Sequence, residues 1–317
     1  MKTVLFCVNY RRMQGAHLKI FHYFQHVRAS GIYTPKVYFH PETVWDSENP
    51  WVGERDYALP AYEPEKADVI LMGGMFNWLM LPAELREDYP APILCPIQGF
   101  SHTRRDNPRY PMLRYRAARV CVSQPVAASV RETGMARGPV FVVPNAIDLP
   151  AGPALPPHVR EPGLLIAGQK APRLAIKIET TLRESGWPVR TLTGQLPRAD
   201  YLGALARAET VLLLPTPTGE GFFLPALEAM ALGTLVICPD AGGNREFCVD
   251  GVNCLLPPYE RAAILAACQA SRELAPSQRA GLLLHAQATA RSHSLEAERE
   301  AFLRILHRLP ELWAKGD

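Results

Sequence analysis

Two glutamates, Glu220 and Glu228, stand with seven residues between them in the stretch LLLPTPTGEGFFLPALEAMALGTLVICPDAGG, which is flanked by apolar runs. A carboxylate is an acceptor at neutral pH, and two of them beside an anion would repel it. They are therefore suited to accept hydrogen bonds from the hydroxyls of a ligand. The residues around them say which elements hold the pair. Val211–Leu214 is an apolar run that breaks at Pro215 and Pro217, and Gly219 and Gly221 flank Glu220. Pro225 sits where a helix takes its first residue, a position that needs no backbone N–H. The predicted helix Pro225–Leu232 ends at Gly233, and Thr234–Cys238 makes a second apolar run before Ala241-Gly242-Gly243. Strand, glycine loop, helix and strand in that order describe a βαβ unit of a parallel sheet. Ligands of such sheets lie outside the carboxyl ends of the strands, against helix N-termini that favour anions.

The wording EGFFLPALEAMALG followed by Gly242-Gly243 resembles the E-x7-E signature of retaining, nucleotide-sugar-dependent glycosyltransferases of the family 4 type. The spacing alone is unspecific; its setting in Gly-Phe, Pro, Leu-Glu-Ala-Met-Ala and Gly-Gly is what carries the resemblance. It implies an α/β protein of the GT-B fold: two Rossmann-like doubly wound domains facing a cleft, with a C-terminal helix crossing back to the first domain. It also implies roles. Glu228 would hold the ribose hydroxyls, and Glu220 would reach the sugar hydroxyls or the diphosphate edge. Backbone N–H groups around Gly221, Phe222, Phe223 and Leu224 would meet the sugar and phosphates. Phe223 stands where many relatives have glycine. Such enzymes use no bound metal or other cofactor. They place an arginine just after a strand-end glycine, plus a lysine, on the diphosphate. Here the strand-end glycine is Gly168 and the arginine is replaced by Gln169, so Lys170 becomes the first candidate cation, with Arg173 or Lys177 second. In the first domain, Gly15 would let the backbone approach the diphosphate, and either Gln98 or His102 would line the sugar pocket, His102 being preferred. The implied catalytic set is Glu220, His102 and Lys170, and the implied route is front-face attack in which the leaving phosphate helps deprotonate the acceptor hydroxyl.

Length and composition are compatible with this. A chain of 317 residues suits two domains. The boundaries expected are 1–150 with 295–317 for the acceptor side and 151–294 for nucleotide-sugar binding. No apolar run is long enough for a membrane span, and Val4–Val8 reads as a first strand rather than a leader. Seven scattered cysteines with no C-x-x-C pair argue for reduced, buried thiols in a cytoplasmic protein and against a zinc site. A net charge of +3 with no nucleic-acid motif argues against nucleic acid as a partner.

Along the chain, apolar segments recur with helical patterns between them. Lys2–Val8, Lys36–Phe39, Asp68–Met72, Ile93–Ile97, Arg119–Ser123 and Val140–Val143 are the strands expected in the first half. Proline-rich Leu149–Gly163 reads as a linker. Leu164–Ala167, helix 172–185, Val189–Leu192, helix 199–207 and Val211–Leu214 follow, and then the stretch that opened this section. Helical patterns at 259–272, 276–290 and Leu295–Trp313 complete the chain. Arg104, Arg105, Arg109, Arg114, Arg116 and Arg119 form a basic run, expected as a solvated helix face. Tyr110, Met112 and Tyr115 interleave with it, which allows peripheral contact with an anionic membrane or with a phosphate-bearing acceptor. The partners expected are a nucleotide-sugar donor and a glycan or lipid-linked acceptor, in bacterial surface glycan or glycolipid synthesis. The rival reading is a non-catalytic GT-B protein that binds nucleotide or glycan, or serves as a partner subunit; Gln169 keeps it open.

Overall fold

The apolar runs become strands, and most of the segments between them fold back as helices, while 40–68 and 98–117 join their strands by short 3-10 turns and loops. The computed structural model describes residues 1–12, 15–148 and 159–314. The chain divides into two units, Met1–Asn145 with Leu295–Asp317, and Ala146–Ser294.

The first unit holds six parallel strands: β1 (Lys2–Val8), β2 (Tyr33–Phe39), β3 (Val69–Leu71), β4 (Ile93–Ile97), β5 (Ala118–Cys121) and β6 (Val140–Val142), in the order β2-β1-β3-β4-β5-β6. The unbroken burial of β3, β4 and β5 is what a parallel sheet covered on both faces requires. Helices α1 (Gly15–Ala29), α2 (Met75–Leu79) and α3 (Gln124–Glu132) lie between the strands. Strand order reverses between β1 and β3, so the loops after these two strands open on one crevice, where ligands of such sheets bind. Gly15, the first residue of α1, and Gly73, after β3, lie on those loops.

The last helix of the chain, numbered α9 below (Leu295–Ala314), packs on α1. The rings of Tyr23 and Phe302 stack with centroids 3.9 Å apart. Beside them Glu298, fully buried, accepts from Lys19 Nζ at 2.5 Å and lies 3.0 Å from His26 Nε2. Lys19 also donates to the carbonyls of Val143 and Pro144, which ties α9 and α1 to the end of β6. Burial raises the Glu298 pKa, but the Lys19 charge and hydrogen bonds from His22 and His26 outweigh it and hold the carboxyl well below the usual range.

The second unit contains β7 (Glu161–Ala167), α4 (Pro172–Glu184), β8 (Val189–Leu192), α5 (Arg198–Arg207), β9 (Ala208–Leu213), α6 (Leu224–Ala231), β10 (Leu235–Ile237), α7 (Arg261–Glu273) and α8 (Pro276–Ser292). Its parallel sheet runs β10-β9-β7-β8, with the reversal between β7 and β9. Ala167 pairs with Leu213, and Leu214 N donates to the Ala167 carbonyl at 3.0 Å. The two loops that follow β7 and β9 therefore start side by side. Gly168 follows β7 because a Cβ there would stand 2.3 Å from that of Ala175, and glycine lets α4 close onto the strand.

Three sequence expectations are corrected. Strand β7 begins at Glu161, so the last residues of the expected linker Leu149–Gly163 are strand, and 149–158 lie outside the described residues. Pro162 is tolerated there because the register shifts between Glu161 and Leu164, where no ladder N–H is needed. The basic run is not a helix face: it begins just after one short 3-10 turn, Phe100–Thr103, passes through a second, Tyr110–Arg114, and ends in β5. Arg119 is buried in β5, donating to the carbonyls of Met112, Leu113, Tyr115 and Ala117, and so fastens the preceding loop instead of meeting solvent. Finally, α6 starts at Leu224, which makes Pro225 its second residue. That position is equally free of the need to donate.

Candidate functional site

The loop after β9 carries Glu220 and is clamped from below. Glu220 N donates to the Ala241 carbonyl, and Gly243 N donates to the Glu220 carbonyl, both at 2.9 Å. Gly243 is required by this contact, since a Cβ would lie 2.2 Å from the carbonyl oxygens of Glu220 and Gly221. The Glu220 side chain is fixed as firmly. Its Oε1 accepts from Thr216 N at 2.9 Å, from Thr216 Oγ1 at 2.7 Å and from Lys170 Nζ at 2.7 Å. Lys170 comes from the loop after β7, so the reversal of the sheet is what brings the two together. Gly168 and Arg173 flank Lys170, with Arg173 exposed in the first turn of α4.

Gly221, Phe222 and Phe223 lead into α6. Phe223 is the N-cap residue and adopts φ 79°, ψ 66°, the left-handed region; among the described residues it is the one non-glycine with positive φ. A side chain in that region costs about 1–2 kcal/mol, which explains why glycine suits the position. Two contacts oppose the cost. The Phe223 ring is buried, and Lys170 Nζ stands 5.2 Å from its centroid, within cation–π range. The Phe223 side chain makes no hydrogen bond to the helix; Pro225 has no N–H and Ala226 N donates to the Phe223 carbonyl at 3.2 Å, so Leu224 N is the one of these three positions that suits an incoming acceptor.

Glu228, on the next turn but one of α6, is held by a different cation. It is 2% exposed, and its Oε1 lies 2.8 Å from Nη1 of Arg198, the first residue of α5. Tyr201, one turn further along α5, has its hydroxyl pKa pushed well up by burial first and then by the Glu228 charge. Each acid of the E-x7-E pair is thus presented with its own basic partner, and in both pairs the base is the more exposed member.

In the first unit, Gly15 is exposed at the start of α1; Met13 and Gln14 before it lie outside the described residues. Gln98 donates to the Ala16 carbonyl at 2.9 Å and so steadies the first turn of that helix. His102 lines a small cavity with Met72, Trp78, Met112, Leu113, Arg109 and Arg119, and its Nδ1 is buried with no hydrogen-bond partner. Burial, reinforced by the Arg109 charge, lowers its pKa to about 4, so the imidazole is neutral at physiological pH. Its chemistry there is that of a neutral donor and acceptor.

Among the described residues there is no group of three or more His, Cys, Asp or Glu side chains arranged to hold a metal, and no helix is long and apolar enough to cross a membrane. All seven cysteines are buried and unpaired in disulfides. Two residues of the second-unit arrangement were not legible in the sequence: Thr216, which orients Glu220, and Arg198, which pairs with Glu228. Arg198 follows Pro197 at a helix start, an unremarked position until folding sets α5 beside α6.

Residues 153–272 match the family model of the group 1 glycosyl transferases. No curated protein matches the chain. Among solved structures, HepE from Anabaena, in complex with UDP and glucose, superposes with a TM-score of 0.72 at 14% identity, covering 98% of this chain and 100% of the other. Sucrose-phosphate synthase from Thermosynechococcus elongatus gives 0.69 at 16% identity, with 100% of both chains covered. The lipopolysaccharide outer core galactosyltransferase WaaB gives 0.71 at 14% identity, covering 97% and 99%. At such identities the likeness establishes the fold, which is GT-B: two parallel-sheet α/β units.

Proposed function

We propose that the chain is a glycosyltransferase that moves a sugar from a nucleoside-diphosphate-sugar donor to an acceptor hydroxyl with retention. The observation that carries this is the second unit's loop pair, where Glu220 and Lys170 meet at the sheet reversal beside the uncapped start of α6, inside the segment matching group 1 glycosyl transferases. On this reading Glu228 accepts from the ribose hydroxyls and Glu220 from the sugar. Lys170, Arg173 and the backbone N–H groups from Gly221 to Leu224 stabilise the charge that develops on the departing diphosphate. Gly168 lets the backbone approach closely. Gly15 for the diphosphate and His102 for the sugar rest on the family resemblance. A lysine already paired to Glu220 does not repel that carboxylate's role. It keeps both groups ordered before the donor arrives, and the pair can share a ligand that offers hydroxyls to one and phosphate to the other. UDP-sugars are the donors to try first, given the UDP and UDP-glucose complexes of HepE. A bacterial surface glycan or glycolipid is the acceptor class proposed, and Arg105 and Arg109 remain the basic residues that would meet its phosphate or an anionic membrane, since Arg104 lies 3.8 Å from Asp106. Arg114 and Arg116 are paired with Glu87 and Asp88.

One observation favours a second reading, a GT-B protein that binds without catalysis: Gln169 is uncharged where an arginine would be expected, and the charge of Lys170 is shared with Glu220. Slow hydrolysis of nucleotide sugars without acceptor separates the two. An enzyme releases nucleoside diphosphate from at least one of UDP-, GDP-, ADP-, CDP- and dTDP-glucose, or from the matching galactose or mannose donors, and Glu220→Ala abolishes the release. Tight binding of a donor with no release under any condition supports the binding module.

A further inference from the structure

Arg198 has no place in the roles set out above, yet it holds the more deeply buried of the two acids. Glu228 is 2% exposed, and a carboxylate so placed stays ionised only when an opposite charge and hydrogen bonds replace the water it has lost. The guanidinium of Arg198, with Nη1 2.8 Å from Oε1, supplies that charge from the neighbouring helix. The arginine side chain itself is 34% exposed, so it reaches from solvent inward and meets the carboxylate through one nitrogen. Glu228 sits on α6 and Arg198 opens α5, so the carboxylate is clamped between two helices and cannot turn freely.

Taking the ribose role of Glu228 proposed above as its premise, we infer that Arg198 is the positioning residue that aims the Glu228 carboxylate at the ribose diol and thereby sets the preference for ribonucleotides over 2′-deoxyribonucleotides. Oε1 is engaged by the arginine, which leaves the second oxygen of the same carboxylate to accept from a ligand hydroxyl. Losing the arginine leaves the buried carboxylate without the partner that holds it, free to swing toward water. The ribose then loses an oriented acceptor. A lysine variant keeps the charge and loosens the aim.

The test is calorimetric binding of UDP, GDP, ADP and CDP, each against its 2′-deoxy counterpart, to the full chain. Wild type is expected to prefer the ribo form of the nucleotide it binds best by roughly tenfold, the worth of one hydrogen bond to a charged group. Glu228→Gln and Arg198→Ala should each bring that ratio near one, Arg198→Lys should leave it intermediate, and Arg198→Ala with Glu228→Gln should lose no more than either alone. Arg198→Lys keeps the charge beside Glu228, so it reports even if Arg198→Ala folds poorly. If Glu228→Gln erases the preference while Arg198→Ala and Arg198→Lys keep it, Arg198 is a structural ion pair and the inference fails, with the ribose role of Glu228 intact. If Glu228→Gln keeps the preference, or none of the four ribonucleotides binds, the premise falls and the inference with it.

Discussion

Phe223 offers the sharpest test of the local geometry, because two opposing terms can be weighed from the structure. Its backbone sits at φ 79°, where a Cβ costs about 1–2 kcal/mol relative to glycine. Its ring is 6% exposed, and truncating a buried phenylalanine to alanine costs about 3–5 kcal/mol. The contact with Lys170 at 5.2 Å adds about 0.5–1 kcal/mol. Burial therefore wins, and both Phe223→Ala and Phe223→Gly should destabilise. They should not do so equally. Alanine keeps the strained Cβ and loses the ring, whereas glycine loses the ring and the strain, at a cost of about 0.5–1 kcal/mol in chain entropy. The glycine variant should then be at least as stable as the alanine variant, by up to about 1.5 kcal/mol, in keeping with the order of these residues at an N-cap. Urea unfolding followed by far-UV circular dichroism gives the difference in midpoint between the two variants directly. An alanine variant clearly more stable than the glycine variant would show that the left-handed conformation is not adopted.

Three further outcomes follow from the geometry. Gly243→Ala drives a Cβ into the carbonyls of Glu220 and Gly221 and should cost about 1–3 kcal/mol by overpacking while displacing Glu220, so turnover falls more than nucleotide binding, as steady-state kinetics against calorimetry will read. Glu298→Gln leaves Lys19 buried with its charge uncompensated and should cost about 3–5 kcal/mol in denaturant unfolding. Because the folded pKa of Glu298 is depressed, its contribution in the wild type is fully present above the ordinary carboxylate pKa and is lost as pH falls toward the folded value. His102 has a linkage of the same sign in a higher pH window: its folded pKa of about 4 lies below its ordinary 6.5, so the folded state binds fewer protons between those values and stability falls as pH drops through that window. Proton NMR should show the His102 ring unprotonated at pH 5.5, and Asn in its place should flatten that part of the stability profile.

How much of this was written in the sequence varies with the range of the interaction. Strand β4 coincides with the apolar run that predicted it, because a buried parallel strand is specified by its own residues, and the edge strand β8 keeps its expected bounds although only Val189 of it is buried. The glycine contexts at Gly168 and Gly243 were visible as letters, but the close approaches that demand them come from residues several positions away in chain or sheet. Arg119 misled for a related reason: a run of arginines reads as a wet face, and only the four carbonyls that surround this one make its burial affordable. Phe223 could be seen to replace a glycine, yet its left-handed backbone is a property of the turn and not of the residue. Arg198 was invisible, since the pairing of α5 with α6 that delivers it to Glu228 belongs to the tertiary fold.

The division of labour between Glu228 and Glu220 is the central claim, and calorimetry of nucleoside diphosphate binding combined with donor turnover tests it most directly. Glu228→Ala is expected to weaken binding of the preferred nucleotide roughly ten- to a hundredfold, while Glu220→Ala leaves nucleotide binding near wild type and suppresses sugar transfer or hydrolysis. If both variants bind nucleotide and turn over donor as the wild type does, the assignment of this loop and helix as the donor site is wrong.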